Sequence, residues 1–184
     1  MSYKSTPLYG GAITVDLPAG FGDASTIRQI PDHQEVYLDG NGYASLVVDI
    51  LEYQDKPTDE EALQYHFQDL IDGTGDSTNV LNQGKASMDN MGNKPVHILH
   101  FLQTPQPNPR RKEPEFVSIH LLLLRLKEQG TDIVISINEP HYAGEYVKAP
   151  EGQKETQLMK QGEEMAKKVL STFDIKDWSL FNGA

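Results

Sequence analysis

The hydrophobic pattern changes period along the chain, and each change marks an element. Ile13, Val15 and Leu17 alternate with Thr14 and Asp16, the period-two signature of a strand with one wet face over Ala12 to Leu17, and Pro18 ends it. Asp23 is placed to cap a short helical turn over Ala24 to Gln29, which Pro31 stops. Val36 to Leu38 and Ala44 to Tyr53 read as strands, and Asp39, Gly40, Asn41 and Gly42 supply the turn chemistry of a hairpin between them. At Pro57 the period lengthens. Thr58 and Glu61 have capping-box spacing, acids crowd the positive end of the dipole, and Leu63, Phe67, Leu70 and Ile71 recur at helical spacing. The pattern predicts a helix over 58 to 72 with those four residues as its buried stripe.

Asn79 to Met88 and Val96 to Gln103 read as further strands. Thr104 to Pro114, with four prolines and the basic triplet Arg110, Arg111 and Lys112, cannot join a central strand and reads as a long exposed hairpin loop. Phe116 to Leu126 and Thr131 to Asn138 are near-continuous apolar runs joined by four residues. They should pair antiparallel in the middle of a sheet covered by helices on both faces. After a Pro- and Gly-punctuated connection over Glu139 to Gly152, the residues Leu158, Met165, Ala166, Val169, Leu170 and Phe173 mark one face of a second long helix. Gly162 weakens that helix by about 1 kcal/mol relative to Ala and allows close packing. Trp178, Leu180 and Phe181 make a tail apolar enough to dock on the core. Hairpin-joined strands and two long helices define a single domain over 1–184 of the α/β class, an α/β/α sandwich with a mostly antiparallel central sheet flanked by helices.

Composition narrows the chemistry. The 184 residues carry 16 Lys and Arg against 27 Asp and Glu, a formal charge of −11, which disfavours nucleic acid and anionic membrane and favours a basic partner surface. There is no cysteine, which removes thiolate catalysis and cysteine metal sites and leaves an intracellular address as the expectation. Residues 1–7 lack the apolar stretch of a secretory signal, and Ile119 to Leu124 is far too short to span a bilayer. Gly84 and Lys85 are followed by Ala86, so no phosphate-cradling loop forms there, and neither GxGxxG nor GxSxG occurs. Among six histidines, His97 and His100 are closest, but a separation of three puts them on opposite strand faces; no metal and no cofactor is expected.

The acids of the strand Leu46 to Glu52 are the remaining candidates. Asp49 is a polar residue on a wet sheet face with Glu52 marking the strand end, or the two belong to an acidic docking site; acting as paired carboxylates would require the strand to bend or bulge. Asp32 and Glu35 flank the preceding turn, where Asp32 can cap and Glu35 lies exposed. Arg110 to Lys112 reads as a solvated loop tip and only weakly as an import signal.

Five blocks in order resemble the signature of the Ran guanine nucleotide release factors, the Mog family: Leu8 to Ala12 (LYGGA), Phe21 to Val36 (FGDASTIRQIPDHQEV), Ser45 to Glu52 (SLVVDILE), Tyr65 to Leu70 (YHFQDL) and Thr131 to Asn138 (TDIVISIN). The resemblance implies the same layered fold, binding to the small GTPase Ran, release of its nucleotide without covalent chemistry, and a role in nucleocytoplasmic transport. It implies a monomer in the nucleus and also the cytoplasm, in which a further Ran-binding protein could join the complex. An acidic pair three residues apart, matched here by Asp49 and Glu52, is implied in contact with Ran, with Asp23, Arg28, Asp32, Gln34 and Glu35 as members of the same surface. The family's Ile between Phe and Asp is Gly22 here, a departure expected to loosen packing at that turn. The rival readings are a binding module that engages Ran or another basic partner without releasing nucleotide, and a small-molecule enzyme using acids in a sheet-edge cleft.

Overall fold

The computed structural model describes residues 1–182 and builds the chain around one long antiparallel sheet. Its ten strands are β1 (Tyr3–Leu8), β2 (Ile13–Pro18), β3 (Phe21–Asp23), β4 (Gln34–Asp39), β5 (Ser45–Glu52), β6 (Ser77–Met88), β7 (Lys94–Thr104), β8 (Phe116–Leu126), β9 (Thr131–His141) and β10 (Asp174–Ile175). Seven form a sheet in the order β3-β4-β5-β9-β8-β7-β6, and a second sheet holds β1-β2-β10. Every strand pairing is antiparallel. The helices are α1 (Asp59–Ile71) and α2 (Gln157–Thr172). The structure is thus mostly antiparallel sheet with two helices, in keeping with an α/β class.

Alternation along the strands sends side chains to two cores. Leu46 and Val48 of β5, Leu122 and Leu124 of β8, and Ile133, Ile135 and Ile137 of β9 pack with Met165, Ala166 and Val169 of α2 and with β2. Leu99 and Phe101 of β7, Leu121 and Leu123 of β8, and Val134 of β9 pack with Ala62, Leu63 and Phe67 of α1. Phe67 meets Phe101 edge-on, with ring centroids 4.7 Å apart, and burial of each such side chain contributes about 1.5–3 kcal/mol. α1 starts as the spacing predicts: Thr58 Oγ1 accepts from the Glu61 amide at 3.2 Å. Its buried face is Ala62, Leu63, His66 and Phe67, whereas Leu70 is 43 % exposed, because the last turn runs past the edge of its apolar cover.

The differences from the sequence pattern have local causes. β1 was hidden because its sequence, YKSTPL, is polar; Thr6 and Leu8 are buried when it pairs with β2, and Tyr3 packs partly buried against the core. β3 and β10 are three and two residues long, too short to show a period. The turn after Asp23 is a 3-10 turn over Ala24–Thr26, shorter than the six residues expected, although Asp23 does cap it through the Ser25 amide. β9 runs on to His141 despite Pro140: β5 pairs with it only as far as Asn138, so the missing N–H of Pro140 costs no ladder bond on that side. Gly22 proves neutral for packing, since a Cβ there would meet nothing within 4 Å. The tail docks, with Leu180 and Phe181 against the α2-side core.

Candidate functional site

The first block builds one end of the sheet. Tyr9, Gly10 and Gly11 take positive φ values of 51°, 68° and 94°, a left-handed run that glycine tolerates and Tyr9 must be held in. The turn brings Tyr9 back over the β4–β5 pair. Its amide donates to Glu35 Oε1 at 2.6 Å, and its hydroxyl lies 2.8 Å and 3.0 Å from the carbonyl oxygens of His33 and Val48, to one of which it donates. Burial pushes the Tyr9 phenol well above its usual value, and the Glu35 and Asp49 carboxylates add to the effect, so it remains a neutral donor. Tyr9 therefore latches the start of β4 to the middle of β5.

Around that latch the acids gather. In the β4–β5 register Gln34 stands opposite Asp49 and Glu35 opposite Val48, which puts Asp49 on the α1 side and Glu35 on the α2 side of the same strand pair. Asp49 lines a small cleft of about 50 Å³ with His66, Asp69 and Leu70 of α1 and Ser136 of β9. Its Oδ1 has no hydrogen-bond partner, and the His33 imidazole lies 3.7 Å from it. Burial raises the Asp49 carboxyl above its usual range; Gln34 and His33 work against this and Asp69 adds to it. Glu35 is also raised, first by burial, with the Tyr9 amide opposing and Asp23 reinforcing. Two half-buried carboxylates near other acids gain from a cation brought in from outside, because it supplies the countercharge the fold withholds.

Asp23 sits one strand over, at the end of β3 opposite Tyr37. Asp32 is exposed in the turn that enters β4, where the Gln34 amide donates to the Pro31 carbonyl at 2.9 Å. Arg28 is exposed just beyond the 3-10 turn. Asp23, Asp32, Gln34, Glu35 and Asp49 thus share the β3–β4–β5 end of the sheet as one acidic rim. Glu52 does not meet Asp49: β5 pairs with β9 in unbroken register from Ser45 to Glu52, so residues three apart face opposite ways, and Glu52 is exposed on the far side. A two-carboxylate acid–base centre on these residues has no geometry. Three contributors had escaped attention: Tyr9, whose signal is the LYGGA turn, His33, which lies inside the second block, and Asp69, within the YHFQDL block.

His66, His97 and His100 act within the fold. His97 Nε2 lies 3.2 Å from Asp59 on the α1 side, whereas His100 Nε2 lies 2.8 Å from Ser118 Oγ on the α2 side, so the two do face apart. His66 Nε2 is 2.8 Å from Asp132 Oδ2.

Residues 6–140 match the family model described as Ran-interacting Mog1 protein. The chain is 37% identical over 151 residues to the nuclear import protein MOG1 of Saccharomyces cerevisiae, spanning 76% of this chain and 67% of that one. It is 33% identical over 146 residues to the Ran guanine nucleotide release factor of Danio rerio, spanning 74% and 78%. The crystal structure of the Saccharomyces cerevisiae Ran-binding protein Mog1p superposes with a TM-score of 0.74 at 29% identity, covering 98% of this chain and 99% of that one. With a latch built from LYGGA, an acidic rim built from the second block, and matches spanning most of the sequence, the chain belongs to the Mog1 family of Ran-interacting proteins.

Proposed function

We propose that this protein binds Ran and promotes release of its guanine nucleotide in nuclear import, as a regulator without covalent chemistry. Its relatives are named Ran guanine nucleotide release factors and nuclear import proteins. The observation that carries the mechanism is the pair of half-buried, poorly compensated carboxylates, Glu35 and Asp49, on the two sides of the β4–β5 rim. Asp23, Asp32 and Gln34 extend the rim, Arg28 lies at its margin, and Glu52 contributes only as a peripheral charge. The fold is an α/β/α layering, in which each helix covers one core and leaves the rim open at the sheet's end. The protein works as a monomer in nucleus and cytoplasm.

Release follows from linkage. A protein that prefers Ran with its nucleotide loosened lowers nucleotide affinity by the same factor by which nucleotide lowers its own binding, and a hundredfold effect requires about 2.7 kcal/mol of coupling. A few desolvated charge contacts supply that magnitude. Dissociation of fluorescently labelled GDP and GTP from Ran, followed with and without this protein, is the direct test. Asp49→Lys is expected to lower Ran affinity by at least about tenfold, since one close charge contact is worth about 1.5 kcal/mol or more, and to slow release in proportion. Unchanged dissociation rates with wild-type protein leave a binding module, and unchanged Ran binding by a folded Asp49→Lys removes the rim from the interface.

A further inference from the structure

At the opposite end of β4 and β5, beside the Asp39–Gly42 turn, a cavity of about 630 Å³ is lined by Asp39, Tyr43, Glu139, Glu145, Leu158 and Gln161 among others. It is separated from the rim by the length of the strands, since Gln34 and Asp49 lie at one end of the pair and Asp39 and Ala44 at the other. Glu139 is 2 % exposed and its Oε1 has no hydrogen-bond partner. An acid that deep without a partner is costly, and the chain has invested further in it: α2 carries glycine at 162, where a Cβ would lie 3.1 Å from Glu139 Cγ and 3.4 Å from the His120 ring. Glycine there lets the α2 backbone close directly on the Glu139 stem.

The mouth of the cavity shows which charge fits. Lys112, from the basic triplet of the Pro-rich loop, reaches Glu145 Oε2 at 2.6 Å and stands over the Tyr142 ring at 5.2 Å, while the Tyr43 hydroxyl donates to Glu145 Oε1 at 2.7 Å and its ring packs 4.4 Å from Tyr142. An ammonium is thus already received there by a carboxylate and an aromatic face. The inner part, with Asp39 and Glu139, has the same acidic character and, among the described residues, no cation.

We propose that this cavity is a second binding site, distinct from the rim, which takes an alkylammonium group, with Glu139 and Asp39 receiving the cation and Leu158 and the Tyr43 ring flanking its alkyl stem. Lys112 is an internal competitor at the entrance, holding Glu145 until a ligand arrives. The groups facing Glu139 are Asp39 from the end of β4, His120 from β8 and Tyr3 from β1, while Gly162 of α2 packs on it and Glu164 of α2 acts on Tyr3. Burial and Asp39 raise the Glu139 carboxyl to about 8, so in the empty site it carries its proton at neutral pH. A bound ammonium favours the ionised form, and the proton leaves to solvent. Binding therefore tightens as pH rises towards the upper end of that range.

The test is calorimetric titration of the full chain with n-butylamine, 1,4-diaminobutane and a short acetylated lysine peptide, each at about pH 6 and about pH 8.5. The expected result is saturable binding at one site, tighter at the higher pH, with a buffer-dependent heat that reports proton release. Glu139→Gln should weaken it by at least about tenfold, the equivalent of 1.4 kcal/mol, and Lys112→Ala should tighten it by several-fold. A preference for the diamine assigns the site to free polyamines, and a preference for the peptide assigns it to a lysine of a protein partner; either supports the shared ammonium chemistry. Nonsaturable binding, or a folded Glu139→Gln that binds as wild type, overturns it. Lys112 sits on an exposed loop, so should Glu139→Gln fail to fold, Lys112→Ala decides alone: affinity no greater than wild type is then the overturning result.

Discussion

Two buried clusters on opposite faces of the seven-stranded sheet, one around Asp132 and one around Glu139, hold ionisable groups in opposite ways. In the α1-side cluster each charge meets a countercharge, unlike Asp49 at the rim of the same face. Asp132, fully buried, accepts from Arg125 Nε at 3.1 Å and from the Gln54 amide at 3.1 Å, and meets His66 at 2.8 Å; Arg125 continues to Asp59 at 3.0 Å and stacks over Tyr53, and Asp59 meets His97 at 3.2 Å. In the α2-side cluster three buried polar atoms have no partner among the described residues. His120 stacks on His100 with ring centroids 3.9 Å apart, yet its Nε2, the Glu139 Oε1 and the Tyr3 hydroxyl have no partners. One cluster keeps charge by pairing it, and the other removes charge by shifting its titration. Burial alone would raise Asp132, but His66, the Gln54 amide and Arg125 outweigh it and hold the carboxyl below its usual value. Burial pushes Glu139 up to about 8 and His120 down to about 3. The paired cluster ties α1 to the sheet; the neutral, unpaired cluster leaves room for something else to bring the charge.

The contrast can be broken most directly at Asp132. Asp132→Ala strands Arg125 and His66, and is expected to cost about 3–5 kcal/mol, read from the urea midpoint at constant slope. An effect below about 1 kcal/mol would mean that the α1 network is solvated rather than buried.

A pH series separates the faces next. Folded Glu139 holds a proton that the unfolded chain releases above its ordinary value of 4.5, so this group makes stability fall as pH rises from there to about 8. Its slope approaches about 1.4 kcal/mol per pH unit within that window. His120 acts in the other direction: the unfolded chain takes a proton below 6.5 that the folded protein refuses until about 3, so stability falls as pH drops through that range. Asp132 adds its loss as pH falls below the ordinary carboxyl value of 3.8, since its folded-state carboxyl is held lower still. Thermal melts should show an alkaline limb that Glu139→Gln flattens and Asp132→Asn leaves in place.

The smallest effect is expected at Gly162. Alanine gains about 1 kcal/mol in helix propensity, but its Cβ would crowd Glu139 and His120, and overpacking of this kind costs about 1–3 kcal/mol. A net loss of about 1 kcal/mol is expected by denaturant melt, and a net gain would show that the pocket beside Glu139 is looser than its contacts indicate.

Much of the frame was legible residue by residue. β8 runs from Phe116 to Leu126 as its apolar run predicts, and Thr58 caps α1 as its spacing predicts, because both signals are local and strong. Leu70 was misplaced because helical spacing gives direction around an axis but not how far the cover extends along it. Of the candidate rim, the acids were visible and their grouping was not. Asp49 and Glu52 look like a pair on paper, yet alternation separates them, while Glu35 and Asp49, fourteen positions apart, are joined by a hairpin register and by Tyr9.

By itself the sequence determined the strands with clear period, the helix starts, the antiparallel class and the family, since each rests on local pattern or ordered blocks. Only the tertiary structure decided which acids are desolvated, that Tyr9 latches two strands, and that Glu139 lies unpaired beside an open cavity. Those properties depend on what the rest of the chain removes from water around each group, and no local pattern encodes the positions of residues that arrive from elsewhere in the chain.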